Sequence, residues 1–204
     1  MLLKGFGDEV DVMRKRLTLI RKAIINSATE EVDGIPISRL AEDELYIISN
    51  LSKGRVAPEL EGVDSGGRPM KLSDFKGKVV VLLFWGSDMP EAERTLEYCA
   101  TLQQKFAGKP FALVGVNSDP VGTLRMMQKS DSKPLIWPNF SDPEGKAAKQ
   151  FRIGASPVVY VLDGDRKIRF WGAPGSFVEL TVDAVLSEKK APAAPAPDRS
   201  PPPR

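Results

Sequence analysis

Lys78-Val-Val-Val-Leu-Leu-Phe84 runs directly into Trp85-Gly-Ser-Asp-Met89-Pro-Glu-Ala92, and the change of pattern between the two halves decides how the chain folds. The first half is apolar and β-branched with no alternation, which suits a strand covered by helices on both faces. The second half carries Gly86 and Pro90, the residues of a turn. Beyond it, Leu96, Cys99, Leu102 and Phe106 recur at helical spacing, predicting a helix over 89–107. A covered strand, a turn and an amphipathic helix therefore follow one another directly.

Towards the C-terminus, a second continuous apolar run predicts a strand at 111–116, ending in Asn117-Ser118-Asp119. Helices are expected at 121–130 and 143–151; Asp142 can cap the second, and Pro143 suits its first position. Strands at 158–162 and 167–171, joined by Asp163-Gly-Asp-Arg166, form a closing hairpin before a last helix at 176–188. Towards the N-terminus, residues 57–72 read as a short hairpin turning at Gly66-Gly67, with 73–77 linking it to the first central strand. Two helices precede it. The first, 8–26, sets Val10, Met13, Leu17, Ile20 and Ile24 at helical spacing. The second, 38–52, takes Ser38 as N-cap and turns Leu40, Leu45, Ile48 and Leu51 inward, after a break at Asp33-Gly34-Ile-Pro36. The division is thus a helical segment 1–54, an α/β domain 55–188 and an Ala/Pro-rich tail 189–204 expected to be disordered or polyproline-like.

A chain of 204 residues supports one good core and a small appendage, and its net charge of +2 gives no argument for nucleic acid or an anionic membrane. There is no histidine, which removes the commonest general base and the commonest metal ligand together. Cys99 is the only cysteine, so no intramolecular disulfide can form, and neither a metal nor another cofactor is expected. No run approaches the roughly 20 apolar residues of a membrane span. The opening Met1-Leu-Leu-Lys-Gly-Phe-Gly-Asp8 is too short in apolar residues for a signal peptide.

The words Gly77-Lys-Val-Val-Val-Leu-Leu-Phe-Trp85, Gly115-Val-Asn-Ser-Asp119, Asp142-Pro-Glu-Gly145, Phe151-Arg-Ile-Gly154 and Ser156-Pro157, in that order, carry a family resemblance. The chain resembles the thioredoxin-like proteins of the TlpA/ResA and AhpC-TSA (redoxin) group over roughly residues 55–188. The resemblance implies an α/β thioredoxin fold, a central mixed sheet with flanking helices, here preceded by the N-terminal helical hairpin. Proteins of this group are often exported or membrane-anchored. Their strand-turn-helix normally reads F-W-A-x-W-C-x-P-C. Aligned without gaps, the two cysteines fall on Met89 and Ala92 and the second tryptophan on Asp88. Pro157 falls on the cis-proline that faces the redox pair. Asp88, Met89, Ser156 and Pro157 then outline a groove in which the resemblance implies a protein or extended peptide.

Thiol–disulfide exchange needs a thiolate at a helix N-terminus and a second sulfur one turn further on. Met89 and Ala92 supply neither. Asp88, Glu91 and Glu93 surround the helix start with carboxylates that oppose a thiolate, and Asp88 with Glu91 makes a capping-box pattern around Pro90. A peroxidatic P-x-x-x-T-x-x-C arrangement also fails, because counting from Pro90 puts Arg94 at the threonine and Glu97 at the cysteine. Cys99, three residues from both Leu96 and Leu102, reads as a buried structural thiol, and Met126-Met127 as core packing. The expected function is a thioredoxin-like domain without its redox cysteines, acting as a binding or accessory module. The alternative is a redoxin-type thiol-disulfide oxidoreductase or peroxidase working through Cys99 alone, which an exposed Cys99 would favour.

Overall fold

The computed structural model describes residues 10–26, 30–130 and 135–188, and the Ala/Pro-rich tail lies outside them. In chain order the elements begin with α1 (Val10–Asn26), a two-residue hairpin β1 (Glu31–Val32) and β2 (Ile35–Pro36), and α2 (Ile37–Tyr46), which passes into a π-helical turn at Ile47–Leu51. A hairpin of β3 (Glu61–Val63) and β4 (Pro69–Lys71) follows, with Gly67 at φ +83° in its turn, where glycine pays no Cβ penalty. Then come β5 (Val79–Trp85), α3 (Ala92–Lys105), β6 (Phe111–Asn117), α4 (Val121–Gln128), β7 (Asn139–Ser141), α5 (Lys146–Gln150), β8 (Val158–Leu162), β9 (Ile168–Gly172) and α6 (Ser176–Glu188).

The last five strands form one mixed sheet in the order β7-β6-β5-β8-β9. β5 pairs in parallel with β6 and antiparallel with β8, so it sits at the centre. Every residue of β5 and β6 is buried, as their unalternating apolar sequence requires. Val79, Val81, Leu83 and Trp85 pack with Cys99, Leu102 and Phe106 of α3 and with Val178, Val182 and Val185 of α6. Val80, Leu82 and Phe84 pack on the opposite side with Phe151, Tyr160, Leu162, Leu72 and Leu51. The two-residue period of the strand thus feeds two separate cores.

Several elements depart from the expectations. The second helix starts at Ile37 with Pro36 as its N-cap and no side-chain cap bond, so Ser38 does not cap it. Pro36 holds φ near −55° and needs no N–H partner at a helix start, which makes a capping side chain dispensable. Leu40 is 41% exposed and Ala41 takes the inward position, because Ala41, Leu45 and Ile48 share the buried face. The helix at 143–151 shortens to α5: its N-cap is Gly145, left-handed at φ +66°, so Pro143 falls outside, and Asp142 is not the cap residue although its carboxylate accepts from the N–H groups of Ala147 at 3.1 Å and Ala148 at 3.0 Å. β7 was not foreseen, since three residues give too little pattern. Met126 is 69% exposed, and only Met127 packs on the core.

The helical segment meets the sheet domain through its second helix. α1 and α2 share a small apolar cluster of Ile20, Ala41 and Ile48, flanked by Leu17, Ala23 and Leu45, and an Arg16–Glu44 ion pair joins them. The side chains of Val10, Met13 and Ile24 lie outside the described ones. Leu51 enters the core beneath the sheet, Arg152 Nε lies 2.8 Å from Asp43 Oδ1, and the Arg152 guanidinium sits 4.3 Å from the Tyr46 ring centroid. No helix among the described residues is long and apolar enough to cross a membrane. Leu51→Ala should therefore cost about 2–5 kcal/mol in urea unfolding, as large-to-small core changes do. Leu40→Ala, on the exposed side of the same helix, should stay within about 0.5 kcal/mol.

Candidate functional site

The strand β5 ends at Trp85, and six residues of turn, Gly86 to Glu91, separate it from α3. Met89 N–H donates to the Gly86 carbonyl at 3.3 Å and Ala92 N–H to the Met89 carbonyl at 3.2 Å. The helix expected from 89 therefore starts at Ala92. Pro90 has no N–H to give, and a proline disfavours the helical region for the residue before it. Glu91, the residue before the helix, stands at φ +60° and makes no side-chain cap bond, so the capping box of Asp88 and Glu91 does not form. Asp88, Glu91 and Glu93 all reach solvent, whereas Met89 is half-buried against the core that α3 covers.

This turn is clamped from behind by a buried carboxylate. Asp119 accepts from the Ser87 N–H at 3.0 Å to both oxygens, from Ser87 Oγ at 2.7 Å and from Asn117 Nδ2 at 2.7 Å. Asp119 N–H donates back to Asn117 Oδ1 at 3.1 Å. One turn away, Trp85 Nε1 donates to Asn139 Oδ1 at 3.0 Å, and Asn139 Nδ2 donates to the Trp137 carbonyl at 2.9 Å. Two glycines make room for this polar layer. A Cβ on Gly115 would lie 1.8 Å from Asn139 Oδ1, and one on Gly86 would lie 2.4 Å from Ser118 Oγ. The polar triplet closing the 111–116 run was visible in the sequence. Its partners Ser87 and Trp85 were not, because they come from a distant part of the chain.

Ser156 and Pro157 enter β8 through a cis peptide bond, and both are half-buried. The β5–β8 register pairs Phe84 with Val158; carried one step further, it sets Pro157 level with Trp85. Pro157 and the turn holding Met89 thus flank the same end of the sheet. Cys99 lies elsewhere, two helical turns beyond Ala92 and facing the core. It is 0% exposed, and burial pushes its thiol up to about 12. Among the described residues no group of three or more Asp, Glu, Cys or His side chains is placed to hold a metal ion.

The AhpC/TSA family model matches residues 53–171. A thiol-disulfide oxidoreductase ResA of Bacillus thuringiensis subsp. konkukian is 27% identical over 117 residues, 56% of this chain and 66% of that protein. The chain thus spans just under two thirds of that relative's length. The fold resembles the thioredoxin domain of a thiol-disulfide oxidoreductase from Bacteroides vulgatus, with a TM-score of 0.59 and 25% identity over 67% of this chain and 99% of that one. It also resembles the peroxidoxin BcpB of Mycobacterium tuberculosis, at a TM-score of 0.55 and 23% identity over 68% of this chain and 96% of that one.

Two outcomes follow from the clamp and the thiol. Asp119→Ala strips the Ser87 and Asn117 donors of their acceptor and should cost about 3 kcal/mol in chemical denaturation, since bonds to a charged group are worth about 1.5–3 kcal/mol each. Cys99 in the folded protein should resist a disulfide reagent near neutral pH, where burial keeps it a thiol, and should titrate fully once the chain is unfolded.

Proposed function

The chain belongs to the AhpC/TSA family, and from that premise we propose that its thioredoxin-like domain is a binding or accessory module that performs no thiol–disulfide exchange. One observation carries this reading: the only sulfhydryl in the sequence, Cys99, is fully enclosed by the core. A nucleophilic thiol must ionise and meet its substrate. Cys99 does neither, since its thiol is held near 12 and α3 and the sheet cover it. This weighs equally against a one-cysteine oxidoreductase or peroxidase.

The positions that align with the family's redox pair support the same reading. Met89 has no ionisable proton and Ala92 no sulfur with which to resolve a mixed disulfide. The carboxylates of Asp88, Glu91 and Glu93 stand around the start of α3, where they oppose the thiolate that a helix N-terminus otherwise favours. We take the space between the 86–91 turn and Ser156-Pro157, which flank the same end of the sheet, as the site's groove. An extended peptide or a protein segment is the occupant we assign to it, with Asp88, Met89, Ser156 and Pro157 as its walls. We assign the module to residues 55–188, with the segments 1–54 and 189–204 outside it.

The test is a disulfide-reduction assay with excess dithiol, run on the wild type, Cys99→Ser and the pair Met89→Cys with Ala92→Cys. The wild type and Cys99→Ser should both match buffer, and the two-cysteine variant should gain turnover, limited by the neighbouring carboxylates. Wild-type turnover that disappears in Cys99→Ser would overturn the proposal and establish a one-cysteine enzyme.

A further inference from the structure

α6 carries more apolar surface than the sheet uses. Val178, Val182, Val185 and Leu186 are buried, yet Phe177 is 71% and Leu180 63% exposed. Phe177, Leu180 and Ala184 recur at three- and four-residue steps and so share one outward stripe. With Lys53, Arg169 and Thr181 they line a shallow cleft of about 270 Å³. A second depression of about 190 Å³, lined by Asp163, Gly164, Asp165 and Glu188, shares Arg169 and Val185 with the first. The two make one trough along the helix. Its apolar end lies at Phe177 and its acidic end at Glu188, where Arg169 pairs with the Glu188 carboxylate at 2.6 and 2.8 Å.

The chain leaves α6 at the acidic end. Its next residues are Lys189-Lys190 and then Ala191-Pro-Ala-Ala-Pro-Ala-Pro197. We propose that the trough is the docking site of this segment, which turns back at the two lysines and lies along α6 towards Phe177. Three features match. Asp163, Asp165 and Glu188 offer the lysines carboxylates whose charge Arg169 balances only in part. The length fits: Phe177 to Glu188 is roughly 16 Å of helix at 1.5 Å per residue, and a polyproline strand at about 3.1 Å per residue covers that in five or six residues. The spacing fits as well. On a three-residue-per-turn polyproline helix, residues spaced as Pro192 and Pro195 are would share one side roughly 9 Å apart, close to the separation of Phe177 from Ala184, about 10 Å. Shallow aromatic-edged grooves suit such rings, and the ordering cost of a proline-rich strand is small.

A spin label on Ala194→Cys in the full chain tests this, because buried Cys99 leaves the new thiol as the reactive one. Amide signals of Phe177, Leu180 and Ala184 should be strongly attenuated, and the attenuation should persist on dilution. Adding Leu180→Asp, an exposed change, should release the tail and restore those signals while circular dichroism and melting stay unchanged. No attenuation, or attenuation that survives Leu180→Asp, overturns the proposal. So does attenuation transferred to isotope-labelled, unmodified chains mixed with spin-labelled ones, since the trough then takes the tail of a second copy.

Discussion

Everything in this domain is hung from β5. Its residues are all buried and its neighbours on both sides are hydrogen-bonded strands, β6 parallel and β8 antiparallel. A strand in that position must be apolar on both faces, because neither one meets water. Its alternate side chains then seed two cores, one under α3 and α6, the other under the helical segment and α5. The same burial dictates where chemistry can occur. Buried polar groups, Asn117, Asp119 and Asn139 among them, gather where β5 stops at Trp85, and the turn that follows reaches solvent at Ser87 and Asp88.

How much of this was readable in the sequence depends on the range of the interaction. β5, β6 and β8 were legible because continuous Val/Leu runs admit few other readings, and α6 because its apolar spacing is sustained. The start of α3 was misplaced because two local rules compete at Met89-Pro90. Carboxylates suggested a cap, while the proline lacks an N–H and disfavours helix at its neighbour; the second effect is steric and wins. Leu40 and Met126 were misread for a simpler reason. One helical step separates an inward position from an outward one, and a short helix gives too few repeats to fix its phase. The Asp119 clamp was half legible: a polar triplet closing an apolar strand announces a buried acceptor, but only the sheet order shows that Ser87 stands opposite.

The clamp explains how the turn can hold its shape without sulfur chemistry. Asp119 fixes Ser87 through three bonds, and Trp85 is fixed through Asn139, so the chain on either side of Gly86 is set by groups that have no part in redox exchange. Neither Met89 nor Ala92 contributes a side-chain hydrogen bond to that lattice. The hydrogen bonds that hold this turn are therefore separate from the side chains at 89 and 92.

That separation also bears on Cys99. A thiol can serve chemistry on this frame only where the sheet ends and water begins, and α3 carries its residues away from that edge at 1.5 Å per step. From Ala92 to Cys99 the helix rises roughly 10 Å and turns its apolar face onto Val81, Leu83 and their neighbours. Reaching a substrate would require α3 to leave the sheet, exposing Leu102 and Phe106 with it, at a cost of about 1.5–3 kcal/mol for each large side chain returned to water. The position of the cysteine along the helix, more than its chemistry, commits it to the core.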